Sequence, residues 1–189
     1  MQGIRTERTV ITLVSAGDAG DLRTYYLRNV DHLGPWEPLR SEDYHSAAAW
    51  KDRARDFAGE AVRGVAYRYA ARLEDGGEII AVANFTNVVR GVFLACHLGY
   101  SIDREMQGRN IMFEVLDALI PHVFQTYGLH RVMANYLPEN ARSAQLLQRL
   151  GFEVEGRARD YLKINGKWRD HVLTARIDDP DGGVRREDG

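Results

Sequence analysis

Cysteine, lysine and long apolar runs are scarce in this 189-residue sequence. A single Cys forbids an internal disulfide and any zinc site built on thiolates, so a reducing, cytoplasmic compartment is the simplest expectation. No apolar stretch is long enough to span a bilayer, so no membrane partner is expected. The opening Met1-Gln-Gly-Ile-Arg-Thr-Glu-Arg8 lacks the charged-then-apolar pattern of a secretory signal. An excess of basic charge is also missing. With 25 Lys and Arg against 27 Asp and Glu, the net charge is -2 and the pI about 6.3, a poor match to a dedicated nucleic-acid binder. Only Lys51, Lys163 and Lys167 stand beside 22 Arg, a bias that fits codon usage in a GC-rich genome and carries no mechanism. The six His residues form neither a metal-binding helical pair nor a His-Glu-x-x-His run, so no metal is expected.

What is present suits one domain with a proper core. Residues 178–189 are polar and Gly-rich, with five acids and two Arg, and are expected to be a disordered acidic tail of charge -3. The body, residues 1–177, is then a single domain of charge +1, with no separate nucleic-acid-binding domain. Period-2 and period-3.6 patterns predict a strand at Thr9–Ser15, a helix through Leu22 to Leu27, and a second helix over about Ser41–Val62. Strands follow at Val65–Leu73, Glu78–Val88 and Val92–Ile102, joined by short turns that favour antiparallel neighbours. Met112, Val115, Leu116, Leu119, Ile120, Val123 and Phe124 then line one face of a long helix in which Pro121 either makes a kink or is tolerated near the end. A strand at Arg131–Leu137, a helix at Asn140–Leu150 and two strands around an Asn165-Gly166 hairpin turn complete the order. The fold class is mixed α/β, with a largely antiparallel sheet flanked by helices.

Two joins could carry chemistry. Leu98-Gly-Tyr-Ser-Ile-Asp-Arg-Glu-Met-Gln-Gly-Arg-Asn110-Ile-Met112 runs from a strand through a Gly-containing loop into a helix. Free backbone N–H groups and the positive helix end could hold a pyrophosphate there, with Gly108 allowing close approach and Arg109 adding charge. An ordinary loop before an amphipathic helix reads the same way. In Asn140-Ala-Arg-Ser143, Asn140 suits an N-cap and Ser143 lies in the first turn, so helix capping accounts for both as readily as catalysis does. Cys96 beside His97 suggests a thiol and its base, but on a strand the two side chains point to opposite faces.

Together the two joins resemble the GNAT superfamily of acyl-CoA-dependent N-acetyltransferases. That family's phosphate loop reads Gln107-Gly-Arg-Asn110-Ile-Met112 here, and its later segment reads Asn140-Ala-Arg-Ser143, Leu146-Leu147 and Gly151-Phe152. Within it, Pro35-Trp-Glu-Pro38, Asn84-Phe-Thr-Asn-Val-Val-Arg-Gly91, Leu98-Gly-Tyr-Ser-Ile102, His130-Arg-Val-Met-Ala-Asn-Tyr136 and Asp160-Tyr-Leu-Lys-Ile-Asn-Gly-Lys-Trp-Arg-Asp-His-Val-Leu-Thr-Ala175 look like the RimJ-type ribosomal-protein-alanine N-acetyltransferases. The likeness covers about residues 9–177. It implies the GNAT fold and acetyl-CoA as cosubstrate, without a metal. It also implies transfer to the N-terminal α-amine of a ribosomal protein or other peptide, and leaves a homodimer open. Carried onto this sequence, it assigns pantetheine binding to backbone groups of Tyr100, Ser101 and Ile102. Pyrophosphate binding falls to Gln107, Gly108, Arg109, Asn110, Ile111 and Met112, and contact with the coenzyme sulfur to Ser143 with Asn140.

Two departures stand out. Asn110 replaces a Gly, although Asn tolerates left-handed backbone angles. Leu147 stands where many relatives carry a Tyr that protonates the departing thiolate, so the phenolic role must pass to another group or to water. No base is assigned: His97, Glu114, Asp160 and Asp170 are polar groups near the motifs whose ordinary reading is solvated or structural. An α-amine with a pKa of about 8 is already partly neutral at cytoplasmic pH. Trp36, between two prolines, either shapes the side on which a peptide enters or packs on the surface. Two further readings remain on this scaffold: acetylation of a small amine or aminoacyl toxin, and a non-catalytic acyl-CoA-binding or ribosome-assembly module.

Overall fold

The computed structural model describes residues 3–178. The predicted tail therefore lies outside the described residues except for Asp178, whose N–H donates to the His130 carbonyl. Eight strands form one sheet: β1 (Ile4–Arg5), β2 (Thr9–Leu13), β3 (Tyr67–Leu73), β4 (Ala81–Val89), β5 (Ala95–Ile102), β6 (Arg131–Met133), β7 (Glu153–Ile164) and β8 (Lys167–Ile177). The α-helices are α1 (Ala19–Arg28), α2 (Val30–Leu33), α3 (Ala47–Arg63), α4 (Ile111–Tyr127) and α5 (Ala141–Arg149). The strand order is β1-β2-β3-β4-β5-β6-β8-β7, and every neighbouring pair is antiparallel except β5–β6.

Alternation along the central strands sends side chains into two cores. Ala81, Ala83 and Phe85 of β4 face the long helix α4, where Val115, Leu116, Leu119, Ile120 and Val123 are buried against them. Val82, one residue out of phase, faces Leu22 and Tyr25 of α1 and Trp50 of α3. Helices therefore cover both faces, α4 and α5 on one and α1 and α3 on the other.

The differences from the sequence reading have local causes. The helix expected from Ser41 begins as a single 3-10 turn, Glu42–His45, and restarts at Ala47, because extended Ser46 caps α3 by accepting the Ala49 N–H at 3.1 Å. β1 and α2 are too short to show a period. The strand expected to reach Leu137 stops pairing at Met133 and leaves a single bridge from Tyr136 to Val172. α4 runs through Pro121 to Tyr127, and Asn165 and Gly166 both take positive φ in the β7–β8 turn.

Candidate active site

The sheet opens at its one parallel pair. β5 and β6 pair only at Ala95–Arg131, Cys96–Val132 and His97–Met133. β5 then continues to Ile102 alongside β4, whereas the chain leaving β6 follows β8, with the Ala134 N–H donating to Thr174 O. From Leu98 onward, the edge of β5 that faced β6 has no strand partner. Backbone groups alternate between the two edges of a strand, so those of Tyr100 and Ile102 border a V-shaped gap that an extended ligand arm can enter by hydrogen bonding to the open edge, whereas those of Ser101 turn towards β4, against the sequence expectation, and its hydroxyl meets Tyr25.

At the far end of β5 the chain turns into α4. Asn110 is the N-cap and sits left-handed at φ 61° and ψ 10°, as its amide side chain permits. Gly108 is also left-handed, at φ +73°, and a Cβ there would meet nothing within 4 Å, so one side of the loop is open. No side chain caps the first turn of α4, which leaves its leading N–H groups, including those of Ile111 and Met112, for a ligand. Arginines from α5 brace the loop: Arg142 donates to Gln107 Oε1 at 2.7 Å and Arg149 to Asn110 Oδ1 at 2.9 Å. The Arg109 carbonyl accepts from Arg8 at 2.9 Å. Open N–H groups, a positive helix end and nearby guanidinium groups make a cradle that could hold a pyrophosphate.

The gap is bridged by two hydroxyls. Tyr100 reaches from β5 to Ser143 in the first turn of α5, with 2.5 Å between the oxygens. Burial pushes the Tyr100 phenol up to about 12, so it stays protonated and available as a donor at neutral pH. Asn140 caps α5, its side-chain oxygen accepting the Ser143 N–H at 3.0 Å, which fixes the position of Ser143. Leu147, one turn further on, is buried in the α4-side core and offers no polar atom.

Cys96 and His97 point to opposite faces. Cys96 is buried in the α4-side core, where desolvation pushes its thiol up to about 12 and leaves it unreactive. His97 faces the α1–α3 side with its Nδ1 buried and unpartnered, and burial holds the imidazole below its usual value. Glu114 is structural: it accepts from Thr6, from the Arg8 backbone and from the Arg8 guanidinium. Burial would raise its pKa, but those bonds hold it below the usual carboxylate value. Asp170 is likewise engaged by the Asp160 N–H and by Arg157. Among the described residues no group of His, Cys, Asp and Glu gathers into a metal-binding cluster.

On the α1–α3 face a cavity of about 400 Å³ is walled by Tyr26, Tyr44 and Trp50 and floored by β3 and β4. A bridge lies beyond it. The Asn165 N–H in the β7–β8 turn donates to the Glu37 carbonyl at 2.9 Å, and Leu39 packs against Gly166. Trp36, 40% exposed, ends the 3-10 turn Gly34–Trp36 just before this bridge.

Comparison with known proteins decides the family. The Acetyltransferase (GNAT) domain pattern matches residues 8–153. The chain belongs to the GNAT acetyltransferase family. It is 49% identical over 172 residues to the [ribosomal protein uS5]-alanine N-acetyltransferase of Escherichia coli K12, covering 91% of this chain and 89% of that one. Among solved structures, the ribosomal-protein-S5-alanine acetyltransferase of Vibrio fischeri superposes with a TM-score of 0.89 at 37% identity, covering 94% and 97% of the two chains. Mycobacterium smegmatis RimJ in complex with CoA-disulfide gives 0.85 at 29%, covering 93% and 84%.

For a GNAT acetyltransferase the cradle and open edge fit acetyl-CoA, and Asn110 offers a test of the cradle. Asn110→Val forces a β-branched residue into left-handed angles, at a cost of about 1–2 kcal/mol or more. The expected result is a KM for acetyl-CoA raised roughly tenfold, with kcat much less affected. Asn110→Gly keeps the backbone and loses only the Arg149 bond, so its KM should lie near the parent's. An unchanged KM in Asn110→Val would show that the loop geometry does not matter to the cofactor.

Proposed function

We propose that this enzyme transfers the acetyl group of acetyl-CoA to the α-amine of an N-terminal alanine, that of ribosomal protein uS5. Residues 1–177 act as one catalytic unit in the cytoplasm. The observation that carries this reading is the 49% identity, over nine-tenths of both chains, to a curated enzyme named for that reaction. The hydroxyl pair supports the chemistry. As the amine nitrogen attacks the thioester carbonyl, the N–C bond forms, the C–S bond breaks, and charge builds on sulfur. Ser143, itself hydrogen-bonded by the Tyr100 phenol, then donates to the sulfur in place of the tyrosine lost at Leu147. A phenol at about 12 is a weaker acid than a thiol near 8.5, so the pair stabilises the thiolate without giving up its proton. The proton leaving the nitrogen passes to solvent, and a base as strong as a carboxylate is not needed for an amine of pKa about 8.

The test is direct. Purified enzyme, acetyl-CoA and a peptide with the uS5 N-terminal sequence should release coenzyme A and yield a product acetylated on the alanine α-amine, as read by tandem mass spectrometry. A serine-starting peptide and free aminoacyl amines should react at least tenfold more slowly. Preferred turnover of the small amines would overturn the reading.

A further inference from the structure

We propose that the cavity on the α1–α3 face is an acceptor subsite that takes the carboxylate of an aspartate or glutamate a few residues behind the acetylated N-terminus, held by Arg53. This rests on the peptide-acetylating reading above and names a second determinant of the substrate.

Position comes first. Thr86 of β4 lines the cavity and pairs with His97 of β5, so both side chains lie on the same face. His97 in turn pairs with Met133 at the last rung before β5 and β6 separate. The cavity thus begins one strand spacing, about 5 Å, from the apex of the gap that takes the thioester. It reaches Val14 beside β2 two strands further on. At about 3.3 Å per residue, an extended peptide with its amine at the apex brings its second to fifth side chains over this recess.

The charge in the recess is unbalanced. Arg40, Arg53 and Arg68 all line it. Arg40 is paired with Glu37 and Arg68 with Glu60, but among the described residues no carboxylate lies within 4 Å of Arg53. Arg53 is nonetheless held in place. Its guanidinium lies 3.8 Å from the Tyr44 ring centroid and donates to the Tyr44 carbonyl at 2.6 Å, leaving the remaining N–H groups of the fork unused. Such a fixed, partly buried guanidinium suits a bidentate carboxylate.

The wall beside Arg53 is rigid. Trp50, which lines the cavity and is 1% exposed, stacks on Tyr26 with ring centroids 4.8 Å apart and meets Tyr44 edge-on. His45, behind the same wall, is held below its usual value by burial and then by Arg53 and Arg40, as expected in a positive field. Three arginines line the recess, and among the described residues only two of them have a carboxylate partner. Recess size favours a single side chain over a nucleic-acid backbone.

The experiment uses alanine-starting peptides of about eight residues that are identical except for one Glu, placed in turn at positions two to five, and matched peptides carrying Gln there. For the parent enzyme at least one Glu peptide should exceed its Gln partner in kcat/KM by roughly tenfold to a hundredfold. In Arg53→Gln that ratio should fall towards one, and in Arg53→Lys to an intermediate value, with the ratio rather than the absolute rate as readout. Equal kcat/KM for Glu and Gln at every position in the parent enzyme, which needs no variant to fold, would overturn the subsite alone. So would an unchanged ratio in a folded Arg53→Gln protein, or loss of the preference on adding a short RNA. If no alanine peptide is acetylated at all, the reading it rests on falls with it.

Discussion

Replacing Ser143 with Ala is expected to lower kcat about a hundredfold while leaving the KM for acetyl-CoA within a few-fold of the parent value. The split follows from when the bond matters. A neutral thioester sulfur is a poor acceptor, whereas a departing thiolate is a strong one, so the Ser143 donor acts mainly in the transition state. Tyr100 stands 2.5 Å behind it, and Tyr100→Phe should cost a similar factor because the two hydroxyls work as one unit. The double variant should be little slower than either single one, since removing the second member of a unit already broken loses little more. Losses that multiply in the double variant would show two independent roles, and an unchanged kcat in Ser143→Ala would remove the pair from the mechanism. The pH profile gives a second check. With the phenol at about 12, the rate should rise as the peptide amine loses its proton near pH 8, with no descending limb from Tyr100 at pH 10. Asn140→Ala is milder: loss of the cap costs about 1 kcal/mol of stability and loosens Ser143 without removing the donor.

The parts of this site that were legible in the sequence are those encoded by neighbours. Asn110 could be read as a left-handed residue, Asn165-Gly166 as a hairpin turn, and the apolar positions of α4 as one helical face, because each signal lies within a turn or two of chain. Ser143 was also within reach, since its capping residue is three positions away. The Tyr100–Ser143 hydroxyl contact was not. Tyr100 could be assigned a backbone role on β5, but its hydroxyl meets a partner 43 residues later, and only the splay of β5 from β6 brings the two together. The Arg53 recess was hidden for the same reason, as its walls come from α1, α3, β3 and β4. Glu114, near enough to a motif to suggest a base, turned out to be held by Thr6 and Arg8, more than a hundred residues earlier.

Asp103→Ala is expected to destabilise the fold by about 1–3 kcal/mol, lowering Tm by roughly 5 °C, and to raise the KM for acetyl-CoA as well. Asp103 follows β5 directly and is 4% exposed. It receives Arg28 Nε at 2.6 Å, the Asn29 amide at 3.2 Å and the Glu105 N–H at 2.9 Å. Asn29 is fully buried, and its Oδ1 accepts the Arg104 N–H at 2.9 Å. This knot ties the end of α1 to the chain leading into the Gln107–Asn110 loop. Removing the carboxylate leaves Arg28 with Glu78 and the Ile79 carbonyl, and the Asn29 amide with the Tyr25 carbonyl, so the loss is that of three hydrogen bonds to a nearly buried charge, and not of an ion pair's only partner. Burial alone would push the Asp103 carboxyl up, but the Glu105 N–H, the Asn29 amide and Arg28 outweigh it and hold the group below the usual carboxylate value. The unfolded chain therefore takes up this proton more readily than the folded one. The contribution of Asp103 is fully present above the unfolded carboxylate value near pH 4 and is lost as pH falls through the lower folded value. Denaturant melts between pH 2 and pH 7 should show a shallower acid slope for Asp103→Asn than for the parent, reduced and not abolished because Glu114 and Asp18 are also held below their usual values. Equal slopes, or a Tm for Asp103→Ala within a degree or two of the parent, would show that α1 and the Gln107–Asn110 loop are held together by something other than this carboxylate.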